Sequence, residues 1–289
     1  MAGRVLGPLG VTALLGALLV LAVAGCASRA PVARAADAPV LTVATLNLYH
    51  DRDDWPRRRG PIVQALAALQ PDVIALQEVL QHEALPNQAM DLAEALGYRA
   101  HFVSTDAPGQ ARRYGNAILT RLPVIARGEH ALEPHADSRT VASVRVRTPG
   151  GAVTVLATHL HAGEFGGATR AVQVRDLLRQ VDAGAHAGPF LLVGDFNAVA
   201  GSDELAPLQR DFFDTYGSVH RDADTDTARH ATLNPAYFER PVRIDHVYAQ
   251  RGRFEVEHAT RILDRPDPSG AWPSDHFGVL VGLRLSPAQ

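Results

Sequence analysis

Eight polar residues follow apolar runs in this 289-residue chain, and their types suit phosphoryl chemistry. They are Asn47, Glu78, His159, Asp195, Asn197, Asp245, Asp275 and His276. Gathered at one edge of a fold, they would line a cleft with four carboxylates, two amides and two imidazoles. Carboxylates packed that closely repel one another, and a divalent cation is their natural neutraliser. Oxygen donors dominate the set, so Mg2+, Mn2+ or Ca2+ suits it better than zinc. Taken singly, each residue has an ordinary explanation. Asn47 is a turn former, Glu78 a strand-end surface charge, His159 a satisfied core histidine, His276 a loop histidine, and Asp245 a partner for Arg243 or Arg240. The recurrence of polar residues at so many strand ends is what argues against coincidence.

The elements that must position them are legible from periodicity. Val40 to Leu46 and Val73 to Leu76 are short apolar runs that read as buried strands ending at Asn47 and at Gln77-Glu78. Between them, Ile62, Val63, Leu66 and Leu69 have the spacing of an amphipathic helix over 57–69, stopped by Pro71. Further helices are expected at Met90 to Leu96 and at Ala168 to Val181. The latter has Ala171, Val174, Leu177, Leu178 and Val181 on one face. Strands are expected at Tyr98 to Ser104, Asn116 to Thr120, Val141 to Arg147, Val153 to Thr158, Phe190 to Val193, Arg243 to Tyr248, Phe254 to Ile262 and Phe277 to Leu285. Interspersed helices and strands apolar on both faces predict an α/β (α+β) class: two stacked mixed β-sheets flanked by helices, a four-layer sandwich. The stretch from Phe212 to Arg240 has weak periodicity and many charges, Asp222, Asp224 and Asp226 among them. It reads as a solvated, mobile loop.

Composition sets the outer limits. Hydrophobic residues at 46% and charged residues at 20% suit a chain that buries a core, and exclude a disordered one. Residues 1–26 carry Arg4 and then an uncharged apolar run, the pattern of a signal peptide. Val23-Ala24-Gly25-Cys26 resembles a bacterial lipoprotein box, in which the cysteine is lipidated after cleavage. Cleavage after Ala33-Arg34-Ala35 and an uncleaved anchor are the alternatives. The expectation is an exported protein, held to the membrane through Cys26 or secreted. Segment 27–39 is small, proline-containing and aperiodic, so it reads as a tether to a single catalytic domain over 40–289. The formal charge of −3 becomes two units more negative once the leader's three arginines and one aspartate are set aside. A general nucleic-acid binder is usually basic, and this domain is not. The tight arginine clusters are Arg57-Arg58-Arg59 and Arg112-Arg113, and the first is expected to cover a helix start or solvated face.

The residues also carry a resemblance. Leu46-Asn47-Leu48, Leu76-Gln77-Glu78-Val79, Tyr114-Gly115-Asn116-Ala117-Ile118-Leu119, Thr158-His159-Leu160, Gly194-Asp195-Phe196-Asn197-Ala198, Arg243-Ile244-Asp245-His246-Val247 and Ser274-Asp275-His276-Phe277 form an ordered set from Val40 to Leu285. In that order they resemble the endonuclease/exonuclease/phosphatase superfamily, which includes deoxyribonucleases, exonuclease III-type nucleases, sphingomyelinases and inositol-polyphosphate phosphatases. The resemblance implies a metal-dependent phosphoesterase. Glu78, Asn47 and Asp275 would lie at the metal, Asp195 would orient or deprotonate the attacking water, and Asn197 would donate to a phosphate oxygen. His276, oriented by Asp245, would bind the phosphate, with His159 as general acid or donor from the other side. It leaves the substrate open among phospholipid, nucleic acid and small phosphate. A catalytically dead surface-binding module is the rival of another class, disfavoured because Asp195, Asn197 and His276 are all present. A monomer is expected.

Overall fold

The computed structural model describes residues 40–184 and 188–286, which fall in one compact unit. The signal segment with Cys26 and the tether at 27–39 lie outside the described residues. Twelve strands build two six-stranded sheets. In the first, β1 (Leu41–Asn47), β2 (Val73–Gln81), β3 (Arg99–Ser104), β4 (Arg113–Thr120), β11 (Phe254–Ile262) and β12 (Gly278–Leu285) lie in the order β11-β12-β1-β2-β4-β3. In the second, β5 (Val124–Ala131), β6 (Thr140–Thr148), β7 (Gly151–His159), β8 (Phe190–Asp195), β9 (Phe212–Asp214) and β10 (Asp245–Gln250) lie in the order β5-β6-β7-β8-β10-β9. Each sheet has one central parallel pair, β1 with β2 and β7 with β8, and antiparallel neighbours elsewhere.

Parallel neighbours need a crossover, and helices supply it. Helix α1 (Trp55–Leu69) joins β1 to β2, and α3 (Gly167–Ala183) joins β7 to β8. Pro sits at the start of α1, and left-handed Gln70 closes it one residue before Pro71. Helix α2 (Gln88–Leu96) is capped by Asn87, whose side chain accepts from the amides of Ala89 and Met90, and is closed by Gly97.

Three apolar layers follow from strand alternation. Val43, Val73, Ala75 and Val281 of the first sheet meet Val144, Val155, Val193 and Val247 of the second in the central layer. The other face of β1 and β2, with Ala44, Leu46, Ile74 and Leu76, packs under Ile62 and Leu66 of α1 and Leu92 of α2. Leu156 and Leu192 pack under Val174, Leu177 and Val181 of α3. The four-layer sandwich read from the sequence is therefore the fold, with element ends shifted by a few residues.

Two strands escape a reading by apolar runs. Strand β5 is an edge strand that stays largely exposed and carries Arg127, Glu129 and His130, so no buried run marks it. Strand β9 is only three residues long. The expected mobile loop from Phe212 to Arg240 is instead ordered, holding β9, α4 (Thr215–Val219) and α5 (Thr227–His230) and burying Tyr216, His230, Thr232 and Asn234. Its acidic residues find partners in the protein while staying partly exposed. Asp214 caps α4, Asp226 caps α5, Asp222 pairs with His230, and Asp224 pairs with Arg243.

Gly194, one residue before the end of β8, adopts φ +142°, and a Cβ there would run into the carbonyl oxygen of Thr158 on β7. Gly194→Ala should lower stability by at least about 2 kcal/mol through backbone strain and clash. Chemical denaturation checks this, and an unchanged midpoint would contradict the close approach.

Candidate active site

The topology carries the polar strand ends to one edge. Asn47 ends β1, His159 ends β7, and Asp195 ends β8. In register, Asp195 is flanked on both sides, by His159 of parallel β7 and by Asp245, the first residue of antiparallel β10. His276 precedes β12, which runs antiparallel to β1, so it arrives at the same edge.

Asp195 is the node of the cluster. Asn47 Nδ2 donates to its Oδ2 at 3.1 Å, and the amide of Asn197 donates to its Oδ1 at 2.8 Å. The same Oδ2 lies 3.5 Å from His159 Nε2 and 3.9 Å from His276 Nδ1. Asp245 Oδ2 holds His276 Nδ1 at 2.9 Å. Asp245 is itself fixed where its amide donates to Thr232 Oγ1 at 3.1 Å, and its Oδ1 is buried with no partner among the described residues.

Burial separates the two histidines electrically. Desolvation, the Arg139 charge and His276 drive the imidazole of His159 well below its ordinary value, so it is neutral. For His276, burial also opposes the charged form, but Asp245, Asp195 and Asp275 outweigh it and raise it to about 10. Burial and then the neighbouring Asp245 push the Asp195 carboxyl upward, against His276 and the donors from Asn197 and Asn47. A neutral donor, a fixed imidazolium and a carboxylate of raised basicity thus stand within one small volume.

Glu78 reaches the cleft by a backbone irregularity. It has φ +56° at a break in the β2–β4 register between Leu76 and Val79, which re-aims a strand residue toward the cleft. Burial and then the Glu78 carboxylate push the Tyr114 hydroxyl upward. Burial raises the Asp275 carboxyl to about 6, with Glu78 adding to the rise and His276 opposing it. Glu78 and Asp275 are therefore close enough to repel.

That repulsion is what a hard cation relieves, and with the neighbouring amide of Asn47 it makes an oxygen-donor set fit for Mg2+, Mn2+ or Ca2+. A second acid and histidine group, Asp195, Asp245 and His276, has ligand atoms within 4.8 Å of one another. Its His276 Nδ1 is already committed to Asp245, so this group fits an oriented imidazolium better than a metal.

One assigned role narrows here. Asn197, at φ +50°, donates Nδ2 to the carbonyl of Leu160 at 3.0 Å, so one amide hydrogen is engaged within the protein. Only its second hydrogen is left for a phosphate oxygen.

Asn116 supports the cleft rather than lining it, since its Nδ2 donates to the carbonyl and hydroxyl of Thr140. His161, Arg170 and Gln173 brace the turn after His159 through Asp137 and Glu204. His246 is structural. It donates Nε2 to the carbonyl of Ala198 and accepts from Arg243 at Nδ1, and burial with Arg243 holds it down to about 4.

The cluster Arg57-Arg58-Arg59 stands at the start of α1, as expected, but Arg58 is not part of a solvated face. It is 1% exposed, and all five of its N–H groups go to backbone carbonyls, those of Leu48, Tyr49, His50, Arg52 and Pro273, at 2.8–3.3 Å. It ties the loop after Asn47 to the loop before Ser274-Asp275-His276. Ser274 Oγ adds a second tie, donating to the carbonyl of Asn47 at 2.7 Å. An arginine in a helix start flanked by two others gives no sign that it faces inward. Thr232 escapes notice for a similar reason, lying in the stretch with no periodicity.

Comparison with known proteins follows the same lines. A model of the Endonuclease/Exonuclease/phosphatase family matches residues 44–276. Nocturnin of Drosophila melanogaster is 28% identical over 279 residues, covering 81% of this chain and 42% of its own length, so this chain spans less than half of that curated relative. Among solved structures, the human Nocturnin catalytic domain with bound sulfate anion superimposes with TM-score 0.70 at 20% identity, covering 86% of this chain and 94% of that one. The D. rerio TDP2 complex with single-strand DNA product gives 0.71 at 17% identity, covering 85% and 99%. An endonuclease/exonuclease/phosphatase from Beutenbergia cavernae gives 0.63 at 24% identity, covering 86% and 72%. At these identities the structures show a shared fold.

Two expectations follow from this geometry. In the metal-free protein, nitrogen NMR at about pH 8 should find His276 protonated on both ring nitrogens and His159 neutral; a neutral His276 would refute the charge assignment. The raised His276 also makes a stability contribution that is full below its ordinary pKa, about 6.5, and lost as pH rises through about 10. Arg58→Met, which removes a buried guanidinium from five carbonyls, two of them in fully buried contacts, should cost roughly 3 kcal/mol or more in chemical denaturation. A loss under about 1 kcal/mol would mean that water replaces the guanidinium.

Proposed function

The chain belongs to the Endonuclease/Exonuclease/phosphatase family, and from that premise we propose that it hydrolyses phosphoester bonds with the help of a divalent metal ion. The observation that carries this reading is the junction at Asp195 Oδ2, where Asn47, His159 and His276 converge beside the Asp245–His276 hydrogen bond. Glu78, Asp275 and Asn47 would hold Mg2+, or Mn2+ or Ca2+. When bound, the ion supplies charge compensation at the phosphoryl oxygens.

The remaining roles fall to the chain's own residues. Asp195, raised in basicity by burial and by Asp245, orients the attacking water and accepts its proton. His276, held through Nδ1 by Asp245, presents Nε2 to a phosphate oxygen as a fixed cation that stabilises growing negative charge. His159 is neutral, so it serves as a hydrogen-bond donor rather than as the general acid that the sequence left open. The free hydrogen of the Asn197 amide completes the oxygen contacts.

The location belongs to the same proposal. The apolar leader and Val23-Ala24-Gly25-Cys26 support export, with lipid attachment at Cys26 or secretion; in this reading the site works outside the cytoplasm, beside a membrane where Cys26 is lipidated. A secreted nuclease is the second reading, favoured by the fold shared with a protein solved with single-strand DNA product. The mildly acidic domain weighs against it.

Turnover of bis-p-nitrophenyl phosphate should require Mg2+ or Mn2+. It should fall by about two orders of magnitude or more in Asp195→Ala and in His276→Ala, each checked for folding by circular dichroism. Parental rates in both variants would remove Asp195 and His276 from the mechanism.

A further inference from the structure

A cleft of about 690 Å3 opens directly from Asn197, and its two sides differ in character. The floor is apolar, formed by Ala198, Val199, Leu233, Val242 and Ile244. Phe238 stands between this floor and the catalytic cluster, with its ring edge-on to the His276 ring at 6.2 Å between centroids. The rim carries Glu164 and Glu239, both exposed, with Arg240 as the exposed cation. Arg170, the other cation of the lining, is buried and paired with Glu204, and donates to the carbonyls of His161 and Gly163, so its charge is already compensated. Next to Glu164, Phe165 is 95% exposed, the most exposed large apolar side chain among the described residues.

These features constrain what can lie beside the reacting phosphate. An apolar floor next to a phosphate site gains free energy only when the substrate's organic group is itself apolar or aromatic. The volume falls within the range that suits a small molecule. A polynucleotide running along this side would bring its further phosphates against Glu164 and Glu239, with a single free arginine to offset them. We propose that this cleft seats the organic group of a small phosphoester, apolar or aromatic in character, with Phe238 as the residue that selects it and the glutamate rim turning polynucleotides away. The inference rests on the proposed phosphoesterase site, because the cleft gains its meaning from the phosphate held beside Asn197.

Binding without turnover tests it. Isothermal titration calorimetry of the full chain loaded with Mn2+ would compare methylphosphonate, benzylphosphonate and an oligothymidylate. Benzylphosphonate should bind at least about tenfold more tightly than methylphosphonate, the scale expected for burying one aromatic ring. In Phe238→Ala that ratio should fall toward one, while Phe238→Leu, which keeps an apolar wall, should retain part of it. The pair Glu164→Gln and Glu239→Gln should strengthen oligothymidylate binding without changing the benzyl to methyl ratio. Equal affinity for the two phosphonates, a ratio untouched by Phe238→Ala, or tighter oligothymidylate than benzylphosphonate binding would each overturn the proposal. Failure of the hydrolase reading has a different signature, since phosphonates would then bind with the expected preference while no phosphoester turns over.

Discussion

A carboxylate with almost no access to water sits at the meeting point of both sheets, and the surrounding architecture accommodates it. Asp195 is 1% exposed, so its charge is tolerable only if donors and cations are built around it. Asn47 comes from the first sheet and His159 from the neighbouring strand, while the Asn197 amide comes from the chain just beyond Asp195 itself. His276 supplies positive charge but needs Asp245 to keep it. Two carboxylates and one imidazolium leave net negative charge in the interior, and the Glu78 and Asp275 carboxylates add to it. The same imbalance that would destabilise a purely structural core suits this one to the cation and phosphate of the proposed reaction.

The two parallel pairs make this convergence possible. Parallel pairing sets the end of β1, Asn47, beside Gln77 and next to the irregularity at Glu78 in β2, and the ends of β7 and β8, His159 and Asp195, side by side, so all four reach one edge without long excursions. The antiparallel strands β10 and β12 then contribute at their beginnings, where Asp245 and His276 stand. Left-handed backbone at Glu78 turns a side chain that strand alternation would have aimed elsewhere, and Asn197, two residues past the end of β8, is left-handed as well.

Much of this is legible before any coordinates. Strands β1, β2 and β8 announce themselves as apolar runs, and the structure brings Asn47, His159, Asp195, Asp245 and His276 to one edge. What stays hidden shares a physical cause. Arg58 and Thr232 are buried polar groups whose partners are backbone atoms. A hydropathy pattern counts such groups as solvated. Likewise β5, an exposed edge strand, has no inner face for alternation to reveal.

The saturation of Arg58 has a consequence for how such a chain can diverge. Four of its five carbonyl partners lie between Leu48 and Arg52, and the fifth is Pro273. An insertion or deletion in either segment would unseat the guanidinium, so both segments are effectively of fixed length. Within the connection from Phe212 to Arg243, Thr232 and Asn234 are themselves tied to Asp245, Ser274 and Asp275, while the segment just beyond them supplies Phe238, Glu239 and Arg240 to the cleft. New specificities would therefore accumulate in the short segment from Phe238 to Arg240, leaving the stretches tied to Asp245 and Asp275 the least free to vary.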